Sequence, residues 1–162
     1  MVKEKYIIGI DPGINGGISV LDRNNNIVFK SVMPVIGTSR KEYDIINIYN
    51  ILNKYKNSIC YLEKAQPRFK DGSKQAFKTG FGFGVLQSIL VCLKIPHEII
   101  SPKQWQKEIF KGLDSKDTKK ASVLFCKRRW IEEDWTPTQR AKKEHDGITD
   151  ATCIAYYGAR LW

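Results

Sequence analysis

Four acidic residues stand where their type and spacing allow chemistry. Asp11 closes the run Ile7-Ile8-Gly9-Ile10, and Glu63 closes Ile59-Cys60-Tyr61-Leu62. Asp146 and Asp150 lie four apart in His145-Asp146-Gly147-Ile148-Thr149-Asp150. Both apolar runs read as buried strands. An acid ending such a strand is costly unless it is paired or coordinates a metal. The i,i+4 spacing puts Asp146 and Asp150 on one helical face, where like charges repel by roughly 0.2–0.5 kcal/mol. A cation between them removes that cost. Singly, each acid has a plainer reading: a turn cap, a surface residue, a solvated helix face. Together they have the form of a two-metal carboxylate cluster, since hard divalent cations take oxygen ligands.

The elements that must hold these acids follow from the pattern. Lys5 to Asp11, Gly17 to Asp22 and Asn26 to Val32 read as strands, the last two joined by a hairpin turn at Asp22-Arg23-Asn24-Asn25-Asn26. A helix is predicted from Ser39 to Tyr55, with Ser39 as N-cap and Ile45, Ile48, Tyr49 and Leu52 as its apolar face. Ser58 to Glu63 is the fourth strand and Glu98 to Ile100 the fifth, parallel across a helix of about Ser73 to Lys94. Helices follow near Pro102 to Lys111, Ser115 to Trp130 and Glu144 to Leu161. Residues 130–140 read as the most mobile connection. With no linker or internal repeat, residues 1–162 read as a single α/β domain.

The order strand-Asp, strand-Glu, helix-Asp-x-x-x-Asp resembles the ribonuclease H-like nucleases, and within them the RuvC-type Holliday junction resolvases. Ile8-Gly9-Ile10-Asp11-Pro12-Gly13 is similar to the first family motif, Leu62-Glu63 to the second, and His145 to Ala151 to the last. Ser101-Pro102-Lys103-Gln104-Trp105-Gln106-Lys107 resembles the segment after the fifth strand, and Asp117-Thr118-Lys119-Lys120-Ala121-Ser122 the basic helix start. Bacterial RuvC spaces its last acids i,i+3, which here would pair Asp150 with Gly147. The i,i+4 pair with a preceding His is nearer phage and organellar relatives. Asp146, His145 or both then complete the site with Asp150.

The resemblance implies a ribonuclease H-like fold, a five-stranded mixed sheet with helices on both faces. It implies a homodimer that resolves four-way DNA junctions by two symmetric nicks. Asp11, Glu63, Asp146 and Asp150 would hold two Mg²⁺ ions, for which Mn²⁺ substitutes. His145 would orient water or bind a metal. Lys120 stands at the family's basic catalytic position, with Lys119 a near-equal candidate. The sequence does not identify a branch-migration helicase partner.

Charge agrees with a polyanionic partner. The chain carries 27 Lys and Arg against 17 Asp and Glu in 162 residues, a net charge of +10. Arg68, Lys70 and Lys74 follow Glu63; Lys103, Lys107, Lys119 and Lys127 belong to a second run and Arg140, Lys142 and Lys143 to a third, and all three flank the acids as a phosphate-tracking surface. Phe69 is the candidate for stacking on an unpaired base, whereas Phe81 and Phe83, in Thr79-Gly80-Phe81-Gly82-Phe83-Gly84, are assigned to the core. Four dispersed cysteines form no zinc pattern and read as reduced core residues. No run reaches the roughly 20 apolar residues of a membrane span, and no signal-peptide pattern is present, so an intracellular protein is expected. The alternatives are another ribonuclease H-like nuclease or transposase-type domain, or a non-catalytic basic nucleic-acid-binding module. An actin-like phosphotransferase would need a second lobe that this chain lacks.

Overall fold

The computed structural model describes residues 5–66, 72–113 and 117–161. Its centre is a five-stranded mixed sheet built from β1 (Tyr6–Asp11), β2 (Gly17–Asp22), β3 (Ile27–Val32), β6 (Ser58–Glu63) and β7 (His97–Ile100). The strand order is β3-β2-β1-β6-β7. The first three strands are antiparallel neighbours, whereas β6 and β7 run parallel to β1. Five helices are present among the described residues: α1 (Ile45–Lys54), α2 (Ser73–Cys92), α3 (Pro102–Ile109), α4 (Thr118–Arg129) and α5 (Asp146–Ala159).

Alternation along the strands divides the core in two. Ile8, Ile10, Ile18 and Val20 point to one face and pack with Ile48 and Leu52 of α1 and Leu86 and Leu90 of α2. Ile7, Leu21 and Tyr61 point to the other and pack with Trp105, Ile109, Cys126, Cys153 and Ile154. Helices therefore cover both faces, as the fold requires. No helix of the described residues is long and apolar enough to cross a membrane.

The helix predicted from Ser39 begins at Ile45. Asp44 is its N-cap, its carboxylate accepting from the Asn47 amide at 3.1 Å. Upstream, β4 (Val35–Ile36) and β5 (Glu42–Tyr43) form a small hairpin that consumes the residues assigned to the first turns. Of the predicted apolar face, Ile48 and Leu52 are buried while Ile45 and Tyr49 stay exposed. Phe81 is also a correction: it is 61% exposed and stacks on Phe77, whereas Phe83 packs against the core. Cys92, at the end of α2, is exposed; the other three cysteines are buried, and all are free. The connection expected to be mobile is anchored. Trp135 is buried, and the Trp130 indole donates to the Asn25 carbonyl at 2.8 Å.

Candidate active site

The register of the sheet carries two acids to one edge. Ile10 of β1 lies beside Leu62 of β6, so Asp11 and Glu63 terminate adjacent parallel strands. Helix α5 brings the other two by crossing β1 and β2 at very close range. A side chain on Gly9 would put its Cβ 2.1 Å from the Ala151 carbonyl oxygen. At the helix start, a Cβ on Gly147 would lie 2.3 Å from the Asn15 oxygen and 2.6 Å from the Gly16 backbone. Position 147 therefore admits no side chain, and the first helical acid stands at 146. This gives the i,i+4 spacing a steric cause.

The acids act on one another. Burial, then Glu63, Asp150 and Asp146, hold the Asp11 carboxyl well above the usual carboxylate range, opposed by Lys119. Burial raises Glu63 as well, against the indole of Trp105, which donates to its Oε2 at 2.6 Å. Asp150 is pushed up to about 7, chiefly by burial, with Glu63 and Asp146 adding and Ser122 and Lys119 opposing. Asp146 is the exception. Although partial burial works against it, an ion pair with the Lys119 ammonium at 2.7 Å holds its carboxyl low.

Asp146 thus joins the cluster electrically, acting on both Asp11 and Asp150. His145 acts on Asp146, and its Nδ1 is buried without a hydrogen-bond partner among the described residues. Of the two lysines, Lys119 meets the acids. Asp117 caps α4, accepting from the Lys119 amide at 3.0 Å, and Ser122 and Cys126 form the buried face toward α5. Lys119 lies one turn before Ser122, on that face. Lys120, favoured by the sequence reading, is exposed and forms no ion pair among the described residues.

Around this edge, Lys74, Lys103 and Lys107 are exposed, while Lys127 is paired with Glu144. Arg68, Phe69 and Lys70 lie outside the described residues. Two residues given no role by the sequence touch the site. Trp105 holds Glu63, and the hydroxyl of Tyr43, near Asp11, accepts from the Gly13 amide at 2.7 Å. A buried Trp and a short-strand Tyr carry no sequence signal that separates such contacts from packing.

Several recessed carboxylates that raise one another's proton affinity suit hard divalent cations, which would relieve the repulsion. Among the described residues, no group of three or more His, Cys, Asp and Glu side chains is arranged as a ready metal cage.

No protein family and no curated protein matches the chain by sequence. Solved structures do match it. Thermus thermophilus RuvC in complex with a Holliday junction substrate superposes with a TM-score of 0.69 at 19% identity, covering 97% of this chain and 96% of that one. A second T. thermophilus RuvC structure gives 0.61, also at 19% identity, with 96% of both chains covered. The chain has the RuvC fold. Likeness to RuvC extends over nearly the whole of both chains.

Proposed function

We propose that this protein is a divalent-metal-dependent endonuclease that resolves four-way DNA junctions. The observation that carries the reading is the convergence of Asp11, Glu63, Asp146 and Asp150 at one sheet edge of a RuvC fold, with Lys119 against them. Asp11, Glu63 and Asp150, with Asp146 or His145, are the residues that would hold Mg²⁺. Bound there, the ions would supply activation of a water molecule and neutralisation of the departing 3′-oxygen. The chain's own residues do the remaining work. The two strands fix the carboxylates of Asp11 and Glu63, and the start of α5 presents the other pair. Lys119 brings a positive charge to the place where charge develops on the scissile phosphate. Lys74, Lys103 and Lys107 are exposed cations suited to phosphates, and the net charge of +10 favours the same partner. Lys127 would have to leave Glu144 to join them.

Resolution requires two symmetric cuts, and the described residues carry one such acid cluster, so the functional unit is a C2 dimer. The outer surface of α1 and α2 supports that reading. Phe77 and Phe81 stack there, Ile45, Ile46 and Tyr49 are exposed nearby, and Gly80 and Gly84 leave room for a second backbone to approach.

The test is cleavage of a synthetic mobile four-way junction beside a linear duplex of the same sequence, with Mg²⁺ and with chelator. Paired nicks across the junction, absent in chelator and from the duplex, support the proposal. Equal cleavage of the duplex would favour another ribonuclease H-like nuclease. Binding without cleavage in any divalent metal would favour a non-catalytic nucleic-acid-binding module.

A further inference from the structure

The Glu63 carboxylate meets a donor from outside the acid cluster, the Trp105 indole at 2.6 Å. This is at the short end for a charge-assisted N–H···O⁻ bond. Trp105 is 1% exposed and wedged in the lower core beside Tyr61, Ile100 and Ile109, with Phe110 packed edge-on at 5.3 Å. Its N–H therefore cannot swing away to water. An indole donates and never accepts, so Oε2 of Glu63 is the acceptor and is pinned to one place.

The path between the two residues is fixed at each step. Glu63 lies beside Ile100 in the sheet, and the Lys64 amide donates to the Ile100 carbonyl at 2.8 Å. Ser101 caps α3 at once through a reciprocal box: the Ser101 amide donates to Gln104 at 2.7 Å and the Gln104 amide to Ser101 at 3.3 Å. Pro102 occupies the first helical position, where its fixed φ suits the turn. The next turn then delivers Trp105 beneath Glu63. A buried indole in this fold does not need a partner as such, since Nε1 of Trp135 is buried with none among the described residues.

We infer that Trp105 is a positioning residue that holds the Glu63 side chain in a single orientation for metal binding. Resting on the nuclease reading above, the inference makes the segment Ser101 to Trp105 part of the active-site scaffold. The same helix exposes Lys103 and Lys107, so one rigid element presents cations outward and steadies an acid inward.

The experiment compares Trp105→Phe, which keeps an aromatic ring and loses the donor, with Glu63→Gln. In tryptophan-¹⁵N-labelled protein, the Trp105 indole resonance is assigned by its loss in Trp105→Phe. It should lie downfield, move upfield in Glu63→Gln, and shift when Mg²⁺ is added. Trp105→Phe should need about 10–100-fold more Mg²⁺ for half-maximal nicking, with junction affinity unchanged. An indole resonance that ignores both Glu63→Gln and Mg²⁺ would overturn the inference, even if Trp105→Phe failed to fold. So would a Trp105→Phe protein with lowered Tm and an unchanged Mg²⁺ requirement, the mark of a ring that only fills the core. Wild-type nicking by Glu63→Gln would instead overturn the nuclease site itself.

Discussion

The acid cluster has two halves of unlike construction. Asp11 and Glu63 end neighbouring strands of the central sheet, where backbone hydrogen bonds on both sides of β1 and β6 leave the chain little freedom. Asp146 and Asp150 occupy the start of α5, held to the sheet by glycine contacts that bring backbones together. The strand half is uniform: both carboxyls are raised, mainly by burial. The helical half is split. One turn apart, Asp150 is raised to about 7 and Asp146 is held low by Lys119. A lysine thus pairs with one acid while burial raises the other three. A divalent cation would compete with Lys119 for Asp146 and draw the other three into their ionised forms. Rigid acids set the position of the site, and the helical pair sets its charge state.

That contrast can be broken most severely in the recessed acids. Asp150→Asn and Glu63→Gln should abolish nicking while leaving junction binding intact, since each removes a charged ligand without touching a phosphate contact. Asp146→Asn should be the milder change, because Lys119 already shares its charge. Single-turnover cleavage beside a binding assay distinguishes the cases, and equal defects at 146 and 150 would mean that the two helical acids have equivalent roles.

Next in size is the lysine. Lys119→Ala should slow nicking by about 10²–10³, the usual cost of losing a positioned transition-state donor, and Lys120→Ala should change it little. The reverse result would place the working cation on the exposed side of α4.

A smaller effect belongs to the outer surface. Lys103→Ala or Lys107→Ala should each lower the slope of log affinity against log salt by about one, if each neutralises one phosphate. Cleavage of bound junction should be unaltered.

The subtlest effect is on stability. Asp150 binds its proton more tightly folded than unfolded, with a folded pKa of about 7 against about 3.9 for a free Asp. Its contribution to metal-free stability is therefore complete below about pH 4 and lost as pH rises through about 7. Thermal melts in chelator should show Tm falling across that window. Asp150→Asn should flatten the fall, and Mg²⁺ should raise Tm above pH 7 in the wild type only.

Much of this arrangement was legible in the sequence because burial and alternation leave plain marks. The β-branched runs before Asp11 and Glu63 located both strands and both acids, and the i,i+4 pair located the start of α5. What failed to read was decided by tertiary contact. The segment from Ser39 to Asp44 looks helical until Glu42 and Tyr43 pair with Val35 and Ile36. Lys119 and Lys120 are indistinguishable until the buried face of α4 is known. Trp105 reads as core, which it is, and only the position of its N–H reveals the contact with Glu63. Gly147 looks like a departure from the family's spacing until the Asn15 carbonyl is found against it.

The central claim is that the carboxylates at the sheet edge form the catalytic centre, and Asp11, whose proton affinity all three other acids raise, tests it most directly. The decisive measurement is the single-turnover rate of four-way junction cleavage by Asp11→Asn in Mg²⁺, at protein concentrations where wild type and variant bind the junction equally. The account predicts no detectable cleavage with affinity retained. Cleavage near the wild-type rate would place the chemistry elsewhere in the molecule.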